Sequence, residues 1–294
     1  MGAGIAAALA LAGVPTTVVV RRPEAVAEAG EGVRGRLEAH ERLGLASREQ
    51  ADDAAGLVDV RLGPGGGPYE LVFETVAEEL AAKCQLLARA EPLVAEGGVL
   101  CTNTSSLPIG ELAAALDEPG RFAGWHWFHP ADLVQAVEVV PGPATRREVV
   151  ERLAGWSRAL GKTPIVLAKE TPGFVANRLQ YALLREAYAL VAGGVCTVED
   201  VDAAVTDGLG ARWSAIGPFA SMDLAGLDVH SAVARRLFPV LSKEEDVPGL
   251  LAETIGSGAL GAKNGAGLRG NYTADELAAV LARRDEALAA RLRS

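Results

Sequence analysis

The chain has 294 residues, 49% of them hydrophobic, which is enough to bury a large core and close to the length at which chains divide into two domains. A formal net charge of -10 argues against the clustered Lys and Arg surface that nucleic-acid phosphates require and describes an acidic, soluble protein, with its cysteines expected to be reduced, as in the cytoplasm. Three cysteines, Cys84, Cys101 and Cys196, show no metal-ligand spacing and an odd count, which argues against both a metal centre and a disulfide framework.

In chain order, residues 4–12 read as an Ala-rich helix ending at Gly13, and its apolar run over 5–11 is too short to cross a membrane. Thr16–Val20 is a β-branched strand, residues 23–45 hold one or two polar helices, and Ser47 with Gln50 forms a capping box for the next. A strand at Val58–Leu62, a Gly- and Pro-rich turn at 64–68 and an apolar strand at 71–73 running into Glu74 follow. Residues 78–95 repeat apolar positions at helical spacing, 98–101 is a strand, and 107–116 is a helix. Strands at 122–128 and 134–140 come next, then a helix capped by Thr145 with Glu148, and 164–167 closes the sheet.

After that the pattern is helical throughout. Thr171 reads as an N-cap with Pro172 at the first helical position, and Thr197 with Asp200 and Thr273 with Glu276 mark later helix starts. The fold class is therefore α/β: a Rossmann-type doubly wound parallel sheet over residues 1–169, then an all-helical domain over 170–294. In this arrangement the ligand is expected in the crevice between the domains, at the carboxyl ends of the strands.

The start is unusual. A dinucleotide-binding sheet opens with a strand and a Gly-rich turn, whereas this chain begins Met1-Gly2-Ala3-Gly4, so Gly2 stands as the third glycine of the turn and the first strand is missing. The expectation is that Met1 is an internal methionine, with a strand and a glycine pair encoded upstream. About 20 positions past such a turn an acid usually accepts from the adenosine ribose. Here the position is Val20, followed by Arg21 and Arg22, which favours NADP(H) over NAD(H), although two arginines can also merely solvate a strand end.

Alcohol oxidation by hydride transfer needs a base, and His is the side chain best matched to neutral pH. Of four histidines, His40 and His230 read as solvated, while His126 and His129 lie in Gly124-Trp125-His126-Trp127-Phe128-His129-Pro130 at a strand end. Glu138, in the apolar run Val137-Glu138-Val139-Val140, needs a partner and is the natural one for His126. The segment Cys101-Thr102-Asn103-Thr104-Ser105-Ser106 can point hydroxyls and N–H groups at a ligand or simply cap a helix. Asn177 can hold a substrate carbonyl or bridge two helices.

These segments resemble the 3-hydroxyacyl-CoA dehydrogenase family over nearly the whole chain. The resemblance rests on the helix from Gly2 to Gly13, Glu74-Thr75-Val76 with Glu78 and Lys83, Asn103 to Ser106, His126 with Glu138, Pro172-Gly173-Phe174 with Asn177-Arg178, and Gly217-Pro218-Phe219. It implies His126 as base, Glu138 as its orienting partner, Ser105 and Asn177 as substrate contacts, and Gly2, Gly4, Glu78, Lys83 and Asn103 near a nicotinamide cofactor. It also implies a homodimer formed through the helical domain. Gln180 and Gly208-Leu209-Gly210-Ala211-Arg212-Trp213 look more like the lambda-crystallin and gulonate dehydrogenase branch, where Arg212 can grip a free carboxylate or merely cap a helix. Leu260-Gly261-Ala262-Lys263-Asn264-Gly265 instead resembles the acyl-CoA members, and His129 stands where the family often has Asn. The leading reading is a dehydrogenase of 3-hydroxyacyl thioesters. Its alternatives are a dehydrogenase of a free polar 3-hydroxy acid of gulonate or carnitine type, and a structural or regulatory relative without cofactor.

Overall fold

The computed structural model describes residues 1–63 and 66–293, so the turn expected at 64–68 lies partly outside the described residues. The chain forms two compact units, one made of residues 1–178 and 282–294, the other of residues 179–281.

The first unit begins with α1 (Gly2–Leu11), β1 (Thr16–Val20), α2 (Ala25–Arg42), α3 (Arg48–Gly56) and β2 (Val58–Leu62). The Ser47 and Gln50 side chains cap α3 reciprocally, as the sequence requires. β3 (Tyr69–Glu74), α4 (Leu80–Ala90), β4 (Val94–Thr102), α5 (Ile109–Ala113) and β5 (Phe122–Trp127) follow, then β6 (Ala136–Pro141), α6 (Arg147–Ala159) and β7 (Thr163–Val166). The expected Rossmann-type α/β architecture is present and dominated by parallel pairs. Its strands form two ladders, a β1-β2 ribbon and a five-stranded sheet in the order β3-β4-β5-β6-β7.

Three local expectations change. The helix expected to reach residue 95 stops at Ala90, because Pro92 sits in a 3-10 turn at Glu91–Leu93 and β4 already starts at Val94. Thr145 does not cap α6: its hydroxyl donates to the Phe122 carbonyl at 2.6 Å and accepts from the Gly142 N–H at 2.9 Å. Thr171 and Pro172 do not open a helix, since α7 (Ala176–Ala192) begins only after a turn in which Gly173 (φ 74°) and Phe174 (φ 50°) are left-handed.

Strand alternation builds a core on each side of the five-stranded sheet. Val99, Cys101, Trp125, Trp127, Val137 and Val139 pack on one side against Val149 and Leu153 of α6. Leu100, Phe122 and Val140 pack on the other with Leu87, Ile109 and Phe174. Each fully buried Leu or Val contributes about 1.5–3 kcal/mol. Trp125 also satisfies its indole N–H on Ser157 Oγ at 2.9 Å, so burial leaves that donor paired. Beneath Trp127, the Lys162 ammonium lies 4.3 Å from the ring centroid and donates to the Ala131 and Val134 carbonyls. Burial brings its pKa down to about 8, against the opposing pull of Asp132.

The expectation that His40 is solvated is also corrected. His40 is buried, with Nε2 3.0 Å from Asp132 Oδ2, and Arg36 reaches the same oxygen at 2.6 Å. A carboxylate from the loop after β5 recruits both α2 side chains, a partner that the polar pattern of α2 does not reveal.

The second unit contains most of α7, then α8 (Val198–Ala203), a π-helical turn at Ala204–Leu209 and α9 (Gly210–Ala215). α10 (Pro218–Ala225), α11 (Leu227–Leu237) and α12 (Gly249–Gly256) follow, with a short ladder of β8 (Ala266–Gly267) and β9 (Gly270–Asn271), before α13 (Ala274–Arg293). Thr197 caps α8 by a reciprocal bond with Asp200, and Thr273 exchanges the same bonds with Glu276 ahead of α13.

Candidate active site

β5 and β6 run antiparallel, because the connection between them is shorter than the dozen or more residues a parallel crossover needs. Their register sets His126 directly opposite Glu138, on the same face. His126 Nδ1 lies 2.7 Å from Glu138 Oε2, and Glu138 is fully buried. An ionised carboxylate can only accept, so Nδ1 carries a proton, and in the neutral ring Nε2 is then the nitrogen with the free lone pair. That tautomer is the one a proton acceptor needs.

The second oxygen of Glu138 is also committed. Oε1 accepts from the N–H groups of Val175 and Ala176 at 2.9 and 3.0 Å, where α7 begins and its dipole favours negative charge. Burial pushes the Glu138 carboxyl up, but the bonds from His126, Ala176 and Val175 outweigh it and hold the group below the usual carboxylate range. The left-handed turn at Gly173-Phe174 aims these N–H groups. Phe174 is itself buried and its ring lies 5.7 Å from that of His126.

From the next residue, Asn177 Nδ2 donates to the Ser105 carbonyl at 3.2 Å. Asn103 Oδ1 in turn accepts from the Trp127 N–H at 2.8 Å, beside His126. The contacts therefore close a ring through residues 103–105, 126–127, 138 and 175–177, and five expected site residues, Asn103, Ser105, His126, Glu138 and Asn177, lie on it.

Glu78 borders this ring. Its Oε1 accepts from the N–H and hydroxyl groups of both Ser105 and Ser106 and from the Thr104 hydroxyl at 2.7 Å. Partial burial raises the Glu78 carboxyl, yet these bonds prevail and bring its pKa down to about 2. Lys83, expected to line a cofactor site, is held by carboxylates. It is almost wholly buried, and its ammonium donates to both Glu74 oxygens at 2.9 Å and to the Val76 carbonyl at 3.1 Å, with Glu78 at 3.5 Å. Thr102 closes this lock with a 2.5 Å bond to Glu74. The pairing of Glu74 with Lys83 and Thr102, and the N–H groups of Val175 and Ala176, escape sequence reasoning, though a buried acid ending a strand and a Pro-Gly pair before a helix were available signals.

Gly2 and Gly4 stand at the start of α1. A Cβ on Gly2 would lie 3.2 Å from Thr75 Oγ1, and one on Gly4 3.0 Å from Asp132 Oδ1, so this helix start abuts the carboxyl end of β3. The first turn of α1 has no acidic residue and no side-chain cap, which leaves N–H groups suited to a dinucleotide diphosphate. Arg21 and Arg22 are exposed at the end of β1, outside the ring. His129 is exposed, and its residual desolvation, with the nearby Arg284 and Arg36, pushes its pKa down against Asp132. Arg212 is exposed on α9, in the other unit.

Residues 1–171 match the family model for the NAD binding domain of 3-hydroxyacyl-CoA dehydrogenase, and residues 173–270 match the model for its C-terminal domain. The chain belongs to the 3-hydroxyacyl-CoA dehydrogenase family. Among its relatives, this dehydrogenase is 33% identical to the 5-formyl-3-hydroxy-2-methylpyridine 4-carboxylate 5-dehydrogenase of Mesorhizobium japonicum, over 99% of this chain and 93% of the relative. It is 35% identical to the 3-hydroxybutyryl-CoA dehydrogenase of Mycobacterium tuberculosis, over 93% of this chain and 94% of the relative. A solved structure of a 5-dehydrogenase of the first kind, described as an NAD+ dependent dismutase, superposes with a TM-score of 0.89 at 32% identity, covering 100% of this chain and 94% of that one. This family member is thus an oxidoreductase of the 3-hydroxyacyl dehydrogenase type that works with a nicotinamide cofactor. Among the described residues no helix is long and apolar enough to cross a membrane.

Proposed function

We propose that the chain oxidises the 3-hydroxyl of an acyl thioester, or reduces the matching ketone, with His126 as the proton acceptor. The ring joining Ser105, His126, Glu138 and Asn177 carries this reading. A bound nicotinamide, from NAD(H) or NADP(H), supplies the hydride acceptor. Nε2 of His126 takes the hydroxyl proton, and Glu138 stabilises the imidazolium that forms. The Ser105 hydroxyl and the Asn177 amide position the substrate oxygens. Glu78 and Asn103 hold the loop that presents Ser105, and the start of α1 at Gly2 and Gly4 receives the diphosphate.

Replacing His126 by Ala is expected to lower turnover about 10²–10⁴-fold, with dinucleotide binding, followed by fluorescence titration, retained. Glu138→Gln is expected to give a smaller loss of kcat with the fold intact. Near-normal turnover in the His126 variant would remove the assigned base.

A second reading, oxidation of a free hydroxy acid or aldehyde acid, is favoured by the end-to-end match to the pyridine carboxylate dehydrogenase. A panel pairing a 3-hydroxyacyl-CoA with its free acid separates the two by kcat/KM. The acting form is proposed to be a cytoplasmic homodimer assembled through the second unit, with neither nucleic acid nor membrane as partner.

A further inference from the structure

We infer that Arg21 and Arg22 recognise the 2′-phosphate of NADP(H), so that this family member selects the phosphorylated dinucleotide; the inference rests on the dehydrogenase reading above. In a dinucleotide fold the strand after the phosphate-facing helix ends beside the adenosine ribose, where a carboxylate accepts from the ribose hydroxyls or an Arg receives a 2′-phosphate. That helix is α1 and that strand is β1, which ends at Val20, its carbonyl held by the Gly63 N–H at 2.9 Å. The next two residues are Arg21 and Arg22, both exposed.

The local charge excludes the usual ribose contact. From Met1 to Pro23 the sequence holds no Asp or Glu, so nothing at the tip of β1 can accept from a ribose 2′-hydroxyl by a carboxylate. The first acid, Glu24, is turned toward Arg22 at 3.5 Å. Among the described residues no carboxylate pairs with Arg21, although the chain has ten more acids than bases. Two adjacent guanidiniums present only donors, in a planar fork that fits phosphate oxygens bidentately. A phosphomonoester brings nearly two negative charges and three acceptor oxygens to that fork, whereas a neutral hydroxyl offers one weak acceptor.

The test is equilibrium binding, read by tryptophan quenching and nicotinamide emission, so that it does not depend on turnover. NADPH is expected to bind at least about ten-fold tighter than NADH at low salt, the scale of one charge-assisted bond, with the ratio narrowing as salt rises. Adenosine 2′,5′-bisphosphate is expected to displace the ligand better than AMP, a comparison that needs no variant. Arg21→Ala and Arg22→Ala are each expected to weaken NADPH about ten-fold, with unchanged thermal unfolding, and Arg21→Asp to bring NADH ahead. NADH binding as tightly as NADPH overturns the arginine assignment and leaves the dehydrogenase standing. Failure of both dinucleotides to bind overturns both.

Discussion

Glu78 shows how a single carboxylate can organise a loop. Its Oε1 gathers donors from Thr104, Ser105 and Ser106, so the loop bearing Ser105 is shaped around a negative charge. Those bonds lower the folded carboxyl from 4.5 to about 2, and the unfolded chain therefore binds its proton first as pH falls. The stabilisation is complete above the unfolded value and is lost as pH drops through the window from 4.5 toward 2. Glu78→Gln is expected to lower the urea midpoint at pH 7, with the gap to the parent clearly narrower at pH 3; an equal gap at both would deny Glu78 this part. The pairing of His126 with Glu138 is legible in sequence because an acid in an apolar strand must find a partner. Lys83 is harder to read, since it is captured by Glu74, whose own burial depends on the sheet around it.

At the scale of elements, the turn ahead of α7 departs furthest from local sequence rules. Thr171 and Pro172 carry the signature of a helix start, yet Glu138 draws the N–H groups of Val175 and Ala176, and the helix begins where that carboxylate sits. Tertiary demand overrides the local signal. The left-handed Gly173 makes the turn affordable, and a side chain there costs about 1–2 kcal/mol. Gly173→Ala is thus expected to lower thermal stability by that amount and to depress kcat through a misplaced Glu138; an unchanged unfolding temperature counts against this role for the turn. β1, β2 and the capped starts of α3 and α8 are legible because their signals are contained within a few residues. The end of α4 is misread because helical spacing alone does not register the break at Pro92.

At the scale of the whole molecule, alternating strands and helices followed by helices suffice to reveal the fold class. What the pattern does not reveal is which apolar residues remain uncovered. In the second unit, Phe219 on α10 is 81% exposed and Phe238, just after α11, is 70% exposed, with Leu224 and Val240 similarly open. Large uncovered apolar side chains of this kind mark association surfaces. The proposed homodimer predicts that Phe219→Asp shifts the mass measured by light scattering from two chains to one; a parent chain already monomeric at high concentration would dismiss the proposal.

The antiparallel register of β5 and β6 has a corollary for insertions. One residue added to the connection between these strands can be absorbed there, whereas one added inside either strand turns every side chain beyond it to the opposite face and parts His126 from Glu138.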